Sequence, residues 1–468
     1  MRIRPLLTAA AFPLVLAGCT VGPDYNRPEL APPDSFRGAP AGTADTTSLA
    51  DLKWFELFKD PELQKLIKSA LVANYDLRDA VARVDAARAN LGITRADQFP
   101  TVEAGANVTT QRSAASGSFP LPQGFDQTRT FGGVSALASF ELDIWGRLRR
   151  ATEAARADLL ASEENRKAVV TTLVSDIATA YFSLLELDME LDIARRTLAA
   201  RQNSLQLIRS REQAGIATLV ELRQGEQLVY GAEQLIPNTE QLIELTENQL
   251  SLLRGRSPEP ITRGQVLGDH VLPPAVPAGL PSSLLERRPD IRRAEQSLIA
   301  ANAIIGVAKA AYFPRISLTG LFGFQSDSLS NLFSGPARVW SFVPQVTQPI
   351  FNAGRLKSNV RLAEAQQQIA LIDYERTIQT AFREVSDALV VYQKNREVRA
   401  KQELLVAALQ DRSRLSYTRY RGGVDTLLNA LDADRDLFTA ELGLAQTKRN
   451  ELVALVQLYR ALGGGWQA

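Results

Sequence analysis

Two periodicities alternate along this chain. Between residues 101 and 112 every second position is apolar or small: Val102, Ala104, Ala106 and Val108 share one face, with Thr101, Glu103, Asn107 and Thr109 on the other. Residues 130–142 repeat the pattern, with Val134, Ala136, Ala138, Phe140 and Leu142 against Ser135, Ser139 and Glu141. Residues 315–326 set Ile316, Leu318, Phe322 and Phe324 against Ser317, Thr319 and Gln325, and residues 338–350 set Trp340, Phe342 and Val346 against Ser341, Gln345 and Thr347. A period of two predicts four strands, near the ~9–11 residues that a tilted membrane strand needs. Polar loops at 113–128 and 327–337 join them into two hairpins.

The second periodicity is helical. From Arg147 to Ala214 there is no Pro and no Gly, and apolar or small residues recur at Val170, Leu173, Ile177, Ala180, Leu184, Leu187, Leu191, Ala194 and Leu198. This 3-4 alternation is a coiled-coil seam, on a helix that at ~1.5 Å per residue reaches roughly 100 Å. A second seam runs through Ile378, Ala381, Val385, Ala388 and Tyr392 and fades at Asn395 and Arg399. Shorter helices return after Gly215 and after Gly422-Gly423, which mark the hairpin turns.

These elements are two copies of one unit. Residues 77–100 shifted by 214 fall on residues 291–314, matching Ala80 with Ala294, Gly92 with Gly306 and Phe99-Pro100 with Phe313-Pro314. At an offset of 208, Gly146-Arg147-Leu148 meets Gly354-Arg355-Leu356, and Gly215 with Thr218-Leu219 meets Gly423 with Thr426-Leu427. Each copy runs helix, strands, very long helix, Gly turn, long helix, an architecture rather than a short solenoid repeat.

The apolar strand faces need a cover that the chain does not supply, and an isolated hairpin is marginal in water. In lipid every sheet edge must close, and four strands are too few for a barrel. Two chains would give eight strands filled by side chains; three would give twelve around an aqueous lumen. The fold class expected is an α+β membrane protein, internally duplicated, with long coiled-coil helices forming a periplasmic α-barrel and four strands per chain in a shared trimeric 12-stranded β-barrel. Two soluble hairpins packed on the helices remain the alternative for the strands. A single antiparallel bundle explains the helices about as well as a tube; the strands favour the tube, because a barrel must be continued by something with a lumen.

The N-terminus adds a location. Arg2 and Arg4 precede a short apolar stretch, Leu6 to Ala17, ending in Leu16-Ala17-Gly18-Cys19, which resembles a bacterial lipoprotein cleavage site. Cys19 is the only Cys, which excludes disulfides and Cys-based metal sites, and Thr20 after it resembles lipoproteins sent to the outer membrane. Beyond the signal no apolar run is long enough for a membrane helix, so bilayer entry would be by strands. Removing the signal leaves 51 basic against 52 acidic residues, no footprint for nucleic acid. Residues 28–50, rich in Pro, Ala and Thr, read as an extended tether. The expected division is a signal peptide (1–18), a lipid-anchored extended segment (19–53), and structural repeats at 54–270 and 271–468.

Enzyme chemistry finds little support. The only His, His270, sits in a Pro-rich connector with no Cys partner and no HExxH-like spacing, and there is no Gly-rich phosphate loop and no GxSxG. No metal or cofactor is expected. In LPSSLLERRPD, Ser283 and Glu286 fit a capping box, and Pro289 halts the short helix.

With these features in place, four blocks carry a resemblance: CTVGPDYNRP from residue 19, WFELFKDPELQKLIKSAL from 54, AGLPSSLLERRPDIRRAE from 278 and LYRALGGGW from 458. With the duplication they resemble, over essentially the whole mature chain, the outer-membrane efflux lipoproteins of the TolC/OprM type, NodT-like branch. The resemblance implies a homotrimer lodged in outer-membrane lipid, acting as a passive exit duct for an inner-membrane efflux pump coupled through a periplasmic adaptor. It implies lipidation at Cys19 and a constriction within residues 419–438, where Asp432 matches an acidic ring and Tyr420 an aromatic gate. Asp425 and Asn429 depart from the charges of one well-known member, Glu221 takes an acidic gate-like position in the first copy, and Arg223, Arg419 and Arg421 are candidate cations. A protein-secretion duct and a non-conducting, lipid-anchored coiled-coil scaffold are the alternatives.

Overall fold

The computed structural model describes residues 20–29, 32–38, 48–114, 126–270 and 277–466, so the signal segment and Cys19 lie outside the described residues. The first repeat comprises α1 (Trp54–Leu57), α2 (Pro61–Ala73), α3 (Tyr75–Ala96), β1 (Thr101–Arg112), β2 (Thr128–Leu142), α4 (Arg147–Gln213) and α5 (Leu219–Leu253). The second comprises α6 (Pro281–Arg287), α7 (Pro289–Ala310), β3 (Arg315–Ser326), β4 (Arg338–Thr347), α8 (Arg355–Arg421) and α9 (Leu427–Ala461). α3 and α7 each have 22 residues, α4 and α8 67, and α5 and α9 35. The glycine pairs 146/354, 215/423 and 255/463 all adopt positive φ. The duplication therefore extends to the left-handed backbone positions that only Gly takes without steric cost.

Contacts divide the chain into two compact units, and each draws on both repeats: Met1–Pro28, Asp85–Ala161 and Ala294–Tyr374 form one, and Glu29–Val84, Ser162–Arg293 and Glu375–Ala468 the other.

The first unit holds one antiparallel sheet in the order β1-β2-β3-β4. Directly opposed residues of antiparallel strands share a face. The rows Val102↔Ala138 and Ala106↔Val134, Phe140↔Leu318 and Ala136↔Phe322, and Phe322↔Trp340 and Ile316↔Val346 join into one apolar face. Thr101↔Ser139↔Thr319 and Glu141↔Ser317↔Gln345 lie on the opposite, more polar face. Trp340 is 74% exposed and Phe322 53%, so the chain's own residues cover little of the apolar face. Among the described residues β1 and β4 each have a single strand partner, leaving an open edge on both sides. β2 starts at Thr128, two residues before expected, and β4 stops at Thr347, three residues short. Pro349 has no N–H to donate, and Gln348 turns its amide onto the Tyr312 carbonyl at 3.0 Å.

Residues 20–28 dock beside the base of this sheet. The Val21 N–H donates to the Trp145 carbonyl at 3.0 Å, and Arg150, buried, donates to Asp24 at 2.7 Å. Gly22 lies so close to Gly306 that a Cβ on it would fall 2.5 Å from the Gly306 Cα. Trp145 stacks on Phe313 with 4.7 Å between ring centroids, and its indole donates to the Pro314 carbonyl at 2.8 Å.

In the second unit the α4 seam is buried at Leu173, Ile177, Ala180, Leu184 and Ala194. Around it Val174, Ser175, Ala178, Tyr181, Phe182 and Leu185 are buried too, so the helix is enclosed on most sides here. This corrects the expectation that no apolar run is long enough for a membrane helix. An 18-residue window of α4 does have that length and a mean hydropathy of 1.6, and 61% of it is buried in the protein, which accounts for its composition. Where the α8 seam fades, Asn395 donates to the Asn450 carbonyl at 3.2 Å and Arg399 ion-pairs with buried Glu451: a polar layer replaces the apolar one.

The described parts of the Pro- and Ala-rich segment are docked rather than free, with bends, a turn at residues 37–38 and a short 3-10 helix (Leu49–Asp51) in place of a continuous extended tether. Phe36 is buried against Phe382 at 6.4 Å, and Ser48 bridges Ala278. The capping box expected at Ser283 is absent. α6 starts at Pro281, whose fixed φ suits the first helical position, and Ser283 donates to the Leu280 carbonyl at 2.7 Å. Arg288, before Pro289, is extended, which separates α6 from α7. His270 packs edge-on against Phe182 at 5.2 Å; burial pushes its imidazole below the ordinary value, against the pull of Asp60 and Asp269.

Candidate channel constriction at the helical hairpin turns

Both long helices end in the same motif. At the end of α4 the Ile216 N–H donates to the Arg211 carbonyl at 2.8 Å and the Gly215 N–H to Glu212 at 2.9 Å. At the end of α8, Val424 donates to Arg419 and Gly423 to Tyr420, both at 3.1 Å. These are Schellman turns, with Gly215 at φ +72° and Gly423 at +74°. Gly422 is not left-handed, and a Cβ there meets only ordinary contacts at 3.5 Å. Gly423→Ala is therefore expected to destabilise this hairpin by about 1 kcal/mol and Gly422→Ala to be neutral or mildly stabilising. Urea midpoints of the two variants test this, and equal shifts would refute it.

The residues after each turn differ between the copies. In the first, Thr218 and Glu221 form a capping box: Thr218 N–H donates to Glu221 Oε2 at 2.6 Å, and Glu221 N–H to Thr218 Oγ1 at 3.3 Å. Glu221, an acidic gate candidate, is thus a helix cap in this chain. In the second copy Asn429 stands where Glu221 would fall, and its amide donates to Asp425 at 2.7 Å. Asp425 also accepts from Thr426 N–H at 2.8 Å and from Arg419 at 3.0 Å. The Asn429 amide, then Arg419 and the Thr426 N–H, hold the Asp425 carboxyl below its usual 3.8. Arg223 pairs with Glu226 at 2.6 Å, so it too is engaged within its own hairpin. Arg421 is exposed, with no ion-pair partner among the described residues.

The two hairpins meet in a small core of Ile208, Leu222, Tyr420, Leu427, Ala430 and Leu431. Tyr420 is 8% exposed in it, and the Arg211 guanidinium lies 4.9 Å from its ring centroid. Asp432 follows on α9 with its side chain 38% exposed, paired with Arg435 at 3.3 Å across one helical turn. Two residues on, Asp434 accepts from buried Arg201 at 2.7 Å; Arg201 also donates to the Leu228 carbonyl at 2.9 Å and lies over the Phe438 ring at 4.6 Å. Sequence reasoning missed this tie between α4 and α9. A groove of ≈ 640 Å³ runs alongside, lined by Arg196, Ser204, Arg414, Tyr417 and Glu441 among others.

A family model described as outer membrane efflux protein matches residues 66–256 and 280–464, both repeats. The chain belongs to this family. It is 39% identical over 469 residues to the probable efflux pump outer membrane protein TtgC of Pseudomonas putida, covering 99% of this chain and 96% of that protein. It is also 39% identical to the outer membrane protein OprJ of Pseudomonas aeruginosa, covering 98% and 96%. The solved open state of the Neisseria gonorrhoeae MtrE outer membrane channel superposes with a TM-score of 0.86 at 33% identity, covering 96% of this chain and 99% of that one. As an outer membrane efflux protein, the chain supplies four strands to a trimeric β-barrel in the outer membrane and its long helices to a periplasmic barrel. The family is a transport duct.

Proposed function

We propose that this duct has its narrowest, charge-selective neck at residues 419–438. It stands in a tripartite efflux system and passes small molecules onward from an inner-membrane pump and a periplasmic adaptor. The supporting observation is the buried cluster that ties the ends of both hairpins together and runs up to Leu431, next to Asp432. Three chains repeat that arrangement about the lumen, which sets Asp432 and Arg435 in adjacent rings. Rings of charge in a narrow aqueous neck set ion selectivity. Tyr420 acts by packing, while Glu221, Asp425 and Asn429 fix the turns.

The proposal keeps the division into signal peptide (1–18), extended segment (19–53) and repeats (54–270, 271–468). It also keeps lipidation of Cys19, on the strength of Leu16-Ala17-Gly18-Cys19; an unmodified Cys19 in the mass of membrane-extracted protein would remove the anchor.

Planar-bilayer recordings test the neck. Because Arg435 sits beside Asp432, Asp432→Asn removes a negative charge and unmasks a positive one, so cation preference should fall. Arg435→Gln should raise it. Tyr420→Ala, which loosens packing, should raise conductance with little change in selectivity. Unchanged selectivity in assembled Asp432→Asn and Arg435→Gln trimers would place the neck elsewhere.

A further inference from the structure

The apolar face of the sheet is interrupted at its hairpin end by two arginines. Arg112 is the last residue of β1 and Arg338 the first of β4, and both are exposed. The register puts them on the apolar face without ambiguity. Arg338 opposes Phe324, which opposes Val134, which opposes Ala106; Arg112 lies six residues from Ala106, on the same side of the strand. The pairing carries no bulge that would switch faces.

This end of the barrel faces away from the periplasm, because β1 and β3 are entered from, and β2 and β4 lead into, helices at the other end. The level is marked by aromatic side chains. Trp340 lies two residues below Arg338 on the same face, and Phe333 of the β3–β4 loop, 70% exposed, packs on Phe324 at 5.6 Å. Such residues mark the bilayer interface in outer-membrane barrels. Around Arg112 the face turns polar: Thr110 and Thr130 share a hydrogen bond at 2.8 Å, and Arg112 donates to Gln127 at 2.7 Å and to Thr128 at 3.3 Å. All of these partners are neutral. Arg338 has no ion-pair partner among the described residues. The carboxylates of this end, Asp126 and Asp327, lie in the loops beyond the strands.

Closure of the trimer brings the two arginines together. β1 and β4 are the edge strands, so β4 of one chain neighbours β1 of the next. At the hairpin end β2 overhangs its last pair with β3 by four residues, Thr128 to Gly132, and β3 overhangs β4 by two, Ser326 to Phe324. That stepwise stagger is what tilted strands in a barrel require. It keeps the ends of all four strands at one rim, so the seam between chains carries both guanidinium groups at headgroup level.

We propose that each seam between chains is a binding site for a phosphate-bearing lipid headgroup of the outer leaflet, held by Arg112 of one chain and Arg338 of its neighbour. A guanidinium pair matches phosphate by charge and by its fork of N–H donors, and the apolar face below, with Trp340 and Phe322, would receive the acyl chains. The trimer would hold three such lipids, one across each seam.

The test uses the full-length trimer in detergent, with diphosphoryl lipid A as probe and a chemically dephosphorylated lipid A as comparison, read by native mass spectrometry. The wild type should retain up to three diphosphoryl molecules per trimer and hold the dephosphorylated form at least tenfold more weakly. Arg112→Gln/Arg338→Gln should lose that preference, and Arg112→Lys/Arg338→Lys should restore part of it. Oxidised Arg112→Cys/Arg338→Cys should cross-link neighbouring chains. Equal retention of the two lipids by the wild type would overturn the proposal even if the glutamine variant failed to assemble, as would an undiminished preference in an assembled glutamine variant.

Discussion

An arginine at Phe322 is expected to lower the yield of trimer, while an arginine at Thr319, three residues away, is tolerated. The two positions differ by an odd number on one strand and so lie on opposite faces. Phe322 opposes Ala136 and Trp340 on the apolar face; Thr319 opposes Ser139 and Val343 on the other. A charge on the lipid face of such a barrel costs roughly 2–4 kcal/mol at mid-bilayer and less toward the interfaces; Phe322, level with Trp340, lies toward the interface, so each copy costs less than that range. Every trimer carries three copies, so the penalty is imposed three times on one assembly. Thr319→Arg projects toward the lumen, where water and neighbouring hydroxyls solvate it. The measurement is the fraction of heat-modifiable, SDS-resistant trimer recovered from outer membranes, together with its urea midpoint in detergent. Equal loss at both positions would show that the apolar face does not meet lipid.

The contrast between those positions was legible in the sequence because a bilayer enforces alternation residue by residue, and each strand reports its faces without its neighbours. The long helices were legible for a similar reason: no Gly or Pro interrupts Arg147 to Gln213, and the left-handed Gly215 ends it. What escaped depends on partners distant in sequence. Arg201 and Asp434 are 233 residues apart, and nothing in the polar face of either helix marks them as a pair. Tyr420 reads as a gate by position, yet it is buried because Ile208 and Leu222 come from the other repeat. The cap at Ser283 was misplaced because the pattern of a capping box can be satisfied on paper while Pro281 sets the helix start three residues earlier. Asn429 could not be read as a turn-fixing residue until Asp425 was seen to fold back onto it and onto Arg419.

The blocks that carried the family resemblance find their physical reason in the second unit, and Arg288 is the place to test it. It is buried, donates to Asp290 at 2.9 and 2.6 Å, to Glu384 at 2.8 Å and to the Ala461 carbonyl at 3.1 Å. That last bond ties the LERRPD block to the LYRALGGGW block, where the left-handed Gly463 lies against Arg287 and Arg288 with no room for a side chain to spare. Tyr459 of the same block donates to the Leu52 carbonyl at 2.7 Å, just before the WFELF block. Arg288→Met is expected to cost about 3 kcal/mol, the low end for breaking a buried pair, since Glu384 can turn to water. Glu384→Gln should cost about 1 kcal/mol or less. The pH dependence separates this from simple packing loss. Burial alone would raise the Asp290 carboxyl, but its hydrogen bonds and charge pairing with Arg288 outweigh that and hold it below 3.8. A depressed folded value means that the wild type keeps this contribution above pH 3.8 and loses it as pH falls through the lower folded value. Without Arg288 only the backbone hydrogen bonds oppose burial, so the Asp290 value moves up and the variant has less of this contribution to lose as pH falls. The gap between their urea midpoints should therefore narrow between pH 7 and pH 4 and further below it. A gap that stays constant with pH would reduce Arg288 to a packing residue and leave the shared blocks without an electrostatic cause.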